Sequence, residues 1–89
     1  MSRTKHMLLV LLLLLSAAAG AAELVNVNAA DAEALASGMV GIGPAKAAAI
    51  VAYREQHGPF KSVDDLLLVK GIGESTLEQN RDRLTAATP

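Results

Sequence analysis

Two glycine turns are the residues with chemistry to offer. Gly41-Ile42-Gly43 runs into Pro44-Ala45-Lys46, and Gly71-Ile72-Gly73 runs into Glu74-Ser75-Thr76, thirty residues later. Each turn opens onto strong helix former. The first amides of a helix lack intrahelical partners and carry the positive end of its dipole. A glycine turn removes the side chains that would block an anion from reaching them. Phosphate suits such a site, being compact, charged and rich in acceptor oxygens. Two sites on one small chain suit a polymer of regularly spaced phosphates better than a single nucleotide. Lys46 and Lys70 stand beside the turns as countercharges, and Ser75 and Thr76 offer hydroxyl donors. The plainer reading is that the glycines only make a tight connection, with Ile42 and Ile72 plugging the core.

Other chemistries have less to stand on. The chain has no cysteine and two histidines, so neither a disulfide framework nor a thiolate metal site is available. His57 precedes Gly58, where a cation complements a helix C-terminus. Asp64 and Asp65 fit a helix start, not a catalytic pair, and no nucleophile–base set is present. Neither an enzyme nor a cofactor or metal is expected. Tyr53 and Phe60, the only aromatics, are expected in the core, which leaves single-strand binding by base stacking unsupported. Arg54 reads as structural, and Arg81 and Arg83 either extend a phosphate contact or pair with Glu78 and Asp82.

Helices must position the turns. Asp31 or Asn28 caps a first helix through Ala32–Ala36 that ends at Ser37-Gly38. Pro44 fits the first turn of a second helix reaching His57, with Ala47, Ile50, Val51 and Arg54 on one face. Gly58-Pro59 ends it. Ser62-Val63-Asp64-Asp65 reads as a capping box for a short apolar helix through Val69. Glu74–Asn80 forms a further helix, with a last turn to Leu84 and a frayed tail from Thr85. Val25–Asn28 is extended, and no strand of convincing length is found. The expected core is Leu24, Val25, Val27, Leu35, Met39, Val40, Ile42, Ile50, Val51, Tyr53, Phe60, Val63, Leu66, Leu67, Val69, Ile72, Leu77 and Leu84.

The N-terminus has a different character. Arg3, Lys5 and His6 precede the apolar run Met7–Leu15, and small residues fill Ser16–Ala22. This order reads as a secretory signal peptide over residues 1–22, cut after Ala21 or Ala22. It is shorter than a usual membrane span, so none is expected after cleavage, the alternative being a retained N-terminal anchor. Residues 23–89 then form one small domain. It carries six cations (Lys46, Arg54, Lys61, Lys70, Arg81 and Arg83) against nine acids, a net charge of −3. That balance argues against a mechanism resting on a broad cationic surface, whereas backbone amides can hold phosphate without one.

The motifs resemble a known family. Gly41–Lys46 and Gly71–Gly73 look like the hairpins of the helix-hairpin-helix motif. The wider run is similar to the soluble domain of the ComEA competence proteins. It takes in Val25–Asn28, Ala45–Arg54, Gly58-Pro59-Phe60-Lys61-Ser62-Val63-Asp64-Asp65-Leu66 and Val69–Gly73. The resemblance covers residues 24–85. It implies an all-α, tandem helix-hairpin-helix domain of about five short helices behind the signal peptide. It implies sequence-independent binding of double-stranded DNA through the phosphate backbone, by Gly41, Ile42, Gly43, Ala45, Lys46, Lys70, Gly71, Ile72, Gly73, Ser75 and Thr76. It further implies a periplasmic DNA receptor in natural transformation, with a DNA-uptake channel or pilus machinery as partner. The sequence departs from the family by Met39-Val40 before the first turn and Glu74-Ser75-Thr76 after the second, where a lysine is common. The alternative is a periplasmic helical protein-interaction module whose hairpins are structural only.

Overall fold

The computed structural model describes residues 24–89. The signal-peptide reading of residues 1–22 lies outside them. The order is β1 (Val25–Asn26), α1 (Ala32–Gly38), α2 (Pro44–His57), a 3-10 segment (Val63–Leu68), α3 (Glu74–Asn80), a 3-10 turn (Arg81–Arg83) and β2 (Leu84–Thr85). No helix among the described residues is long and apolar enough to cross a membrane.

Local chemistry explains most of these bounds. Asp31 caps α1, its carboxylate accepting from the Ala34 amide at 2.8 Å; Asn28 does not. Pro44 starts α2, and Gly58, at a φ of 86°, closes it by donating to the Arg54 carbonyl. The expected capping box forms only in part. The Ser62 side chain makes no capping bond, and the Asp65 carboxylate reaches back to the Lys61 amide at 3.2 Å.

The two helix–turn–helix units differ by one residue in their first arm. The Met39 amide donates to the Leu35 carbonyl four residues back, whereas the Val69 amide donates to the Leu66 carbonyl three back. An α-turn in one unit and a 3-10 turn in the other absorb the extra residue. Each arm thereby delivers a buried leucine and a buried end residue to the same core, ahead of the same Gly-Ile-Gly turn.

That core gathers Val27, Leu35, Met39, Ile42, Ala47, Ile50, Phe60, Leu66, Val69, Ile72, Leu77 and Leu84. Burying each of the larger side chains contributes about 1.5–3 kcal/mol. Tyr53 packs against the core, its ring stacked on Phe60 at 5.3 Å. Three expected core residues, Leu24, Val40 and Leu67, are exposed instead. Leu67 shares the 3-10 segment with buried Leu66, and on so short an element only one of two adjacent leucines faces inward.

Two buried asparagines hold what helices alone leave loose. The Asn28 Oδ1 accepts from the Phe60 amide at 2.7 Å, and its Nδ2 donates to the carbonyls of Phe60 and Ala87. The C-terminal residues are thus not a frayed tail. Val25 and Asn26 pair in parallel with Leu84 and Thr85, and the Val27 amide donates to the Thr85 carbonyl. This strand pair is the departure from an all-α chain. Two residues a side leave no alternation to read in the sequence. Arg54 is structural, donating through Nη1 to the carbonyls of Val27 and Ala30.

Asn28→Ala removes three buried bonds and should cost about 2–4 kcal/mol, against about 1 kcal/mol for Asp31→Ala, as read by urea denaturation of the 23–89 domain.

Candidate functional site

Each turn points its isoleucine in and its glycines out. Ile42 and Ile72 are both only 6% exposed, while Gly41, Gly43, Gly71 and Gly73 are exposed. Gly41 and Gly71 take φ values of 74° and 98°, a backbone that other residues rarely adopt. Gly43 and Gly73 are the N-caps of α2 and α3, in ordinary extended geometry and with no side-chain capping bond. A Cβ built at either would have nothing within 4 Å. The helix starts at Ala45, Lys46, Ser75 and Thr76 therefore differ from that of α1, whose orphan amide Asp31 takes up.

The fold brings the two turns together. The Lys46 stem runs beside Gly71, where a Cβ would lie 3.8 Å from its Cγ. In the other direction, Gln79 of α3 reaches the first turn, its Oε1 3.8 Å from a Cβ at Gly41. The next residue, Asn80, is fully buried and bonds both the amide and the carbonyl of Val40. Each helix that one turn launches thus flanks the other turn. The sequence reading placed Lys46 beside its own turn; the structure lays it across the second as well.

The remaining charges divide between free and engaged. Lys70 is exposed at the second turn, Ser75 is exposed and Thr76 half-buried. Glu74 sits exposed in the first turn of α3. Arg81 is bound to Glu78 at 2.7 Å and to Asp64 at 2.6 Å, with Asp64 taking the place expected for Asp82. Its hydrogen bonds to Glu78 and then Asp64 hold the guanidinium above its ordinary pKa. Arg81 is thereby engaged with two exposed carboxylates. A half-open cavity of about 320 Å³ lies at the far end of α2, between Tyr53, His57, Phe60, Lys61 and Leu68. No turn residue lines it.

Gln79 and Asn80 went unnoticed in the sequence. A signal existed for Asn80: it falls thirty residues after Ile50, at a buried helical position where the first unit keeps an aliphatic side chain.

Two exposed glycine turns, each feeding a helix and pinned by a buried isoleucine, match a family model described as the helix-hairpin-helix motif over residues 20–85. The chain belongs to the helix-hairpin-helix family. The helix-hairpin-helix region is 46% identical over 66 residues to ComE operon protein 1 of Bacillus subtilis, which bears out the ComEA resemblance. That match takes in 74% of this chain and 32% of the Bacillus protein. An uncharacterized protein of Haemophilus influenzae is 49% identical over 63 residues, 71% of this chain and 56% of that one. The helix-hairpin-helix region is also 47% identical over 57 residues to endonuclease/exonuclease/phosphatase family domain-containing protein 1 of Homo sapiens. There it takes in 64% of this chain and 10% of the human protein. The chain thus spans about half of the Haemophilus relative and about a third of the Bacillus one.

Gly71→Ala should cost about 1–2 kcal/mol through backbone strain, although its methyl would meet only ordinary contact with the Lys46 stem. Gly73→Ala, at an ordinary φ, should stay within about 1 kcal/mol of wild type in the same thermal or urea melts.

Proposed function

We propose that the chain binds double-stranded DNA without sequence preference, gripping phosphates with the backbone amides of both turns. We further propose that it serves as a periplasmic DNA receptor in natural transformation. The observation that carries the binding reading is the adjacency of two uncapped, exposed, glycine-lined helix starts. A duplex offers phosphates to both at once, and neither turn needs a cationic surface to hold one. Lys46 and Lys70 supply local countercharge, and Ser75 and Thr76 supply hydroxyl donors. Membership of the helix-hairpin-helix family and the similarity to a ComE operon protein support the competence role. The basic, apolar and small-residue order of residues 1–22 supports export, with an uptake channel or pilus machinery receiving the DNA. No step of this function calls for catalysis, metal or cofactor.

Titration of the 23–89 domain into labelled duplexes of unrelated sequence tests the binding. Affinities should agree between sequences, with a log–log salt slope of about −2 to −4. Sequence-dependent affinity, or no binding even at low salt, overturns the reading and favours the protein-interaction alternative.

In the same titration Lys46→Glu should weaken binding more than Lys61→Glu, because Lys46 lies between the turns and Lys61 lines the distant cavity. Ser75→Lys should strengthen it by adding a cation beside the α3 amides. Gly43→Ala should fold normally yet weaken binding, its methyl standing where a phosphate must approach. Equal effects of the two charge reversals would exclude the turns as the contact.

A further inference from the structure

The two turns are not held in the same way. In the second, the Ile72 amide closes the turn on the Val69 carbonyl at 3.1 Å. The first turn bends in the same way at Val40 and Gly41, but its Ile42–Met39 bond falls short of full hydrogen-bond geometry. Its backbone is gripped from outside. The Asn80 Oδ1 accepts from the Val40 amide at 2.7 Å, and its Nδ2 donates to the Val40 carbonyl at 2.8 Å and to the Thr76 carbonyl at 2.8 Å. All three bonds lie within a side chain that is fully buried, and the Thr76 bond fixes the amide's orientation on its own helix. Val40 immediately precedes Gly41, and its side chain points out, 45% exposed, so Asn80 holds main chain and not a packed residue.

We propose that Asn80 is a positioning residue for the first turn, reinforcing its poorly aligned closing bond and tying that turn to α3 so that both turns meet a duplex as one rigid unit. This rests on the DNA-binding reading. A buried amide is costly unless its donors and acceptor are used, and this one spends two of its three bonds on Val40 of the other turn and one on its own helix. The neighbouring contact of Gln79 with Gly41 and the Lys46 stem beside Gly71 lie along the same seam. With the seam intact, the spacing between the two sets of amides is set before DNA arrives, and no ordering cost falls on binding. With Asn80 removed, α3 and its own turn keep their internal bonds, and the first turn alone loses its tether.

The test uses Asn80→Leu, which keeps the volume apolar, as at Ile50. It should melt cooperatively, bind duplex about tenfold more weakly than wild type, and show a salt slope shallower by about 1, as one phosphate contact is lost. Combined with Gly43→Ala it should lose less than the sum of the two single effects, because both act through the first turn; with Gly73→Ala the losses should add. A wild-type slope and affinity for Asn80→Leu, or additivity with Gly43→Ala, overturns the proposal. Amide hydrogen exchange without DNA separates this from failure of the DNA reading. In the wild-type domain Val40 should exchange only as slowly as the α3 amides, and in Asn80→Leu at least about tenfold faster with α3 unchanged. If wild type binds no duplex, the DNA reading falls, and unchanged Val40 exchange in the variant removes the positioning role as well. If the variant fails to fold, wild-type exchange decides: Val40 opening independently of α3 overturns the tether.

Discussion

A five-residue turn between two helices cannot hide both its side chain and its amides. Ile42 and Ile72 take the inward place and anchor each turn in the core. The flanking glycines and the helix starts that follow are then forced outward, because a buried amide without a partner is too costly. The exposed amides are thus a by-product of how the core is closed. A site built this way needs no cationic surface, which reconciles it with nine acids against six cations in residues 23–89.

Repetition gives the domain a second such turn, and small differences make the copies fit one another. An α-turn ahead of the first and a 3-10 turn ahead of the second bring leucines 35 and 66 to one core. The copies then lie edge to edge, each launched helix flanking the other's turn. Ile50 and Asn80 mark where the copies diverge: one fills the core, the other spends its amide on the opposite backbone. Asn28 does the same for Phe60, and through Ala87 it fastens the C-terminal residues to the N-terminal ones.

Much of this was legible from residue types. Pro44, Gly58 and Asp31 mark helix ends through strong local rules, and the turns announce themselves by their glycines. Less legible were the features decided between distant segments. Asn80 reads as an ordinary polar residue at a helix end until Val40 is placed beside it. The two-residue strands carry no periodicity. Arg81 chose Asp64, seventeen residues away, over adjacent Asp82, because the 3-10 segment packs alongside α3. Leu67 and Val40 look like core by composition, but a short element has room to bury only part of its apolar run.

Local sequence alone determined where helices begin and end, where positive φ is required, and that two glycine turns would each leave amides uncapped. These follow from backbone sterics and from hydrogen bonds that span only a few residues. Tertiary structure decided that the Lys46 stem of one unit lies beside the other unit's turn, and that an asparagine on one helix holds the other turn. Those outcomes depend on how two similar units pack, and packing is set by contacts between residues far apart in the chain, which no local pattern encodes.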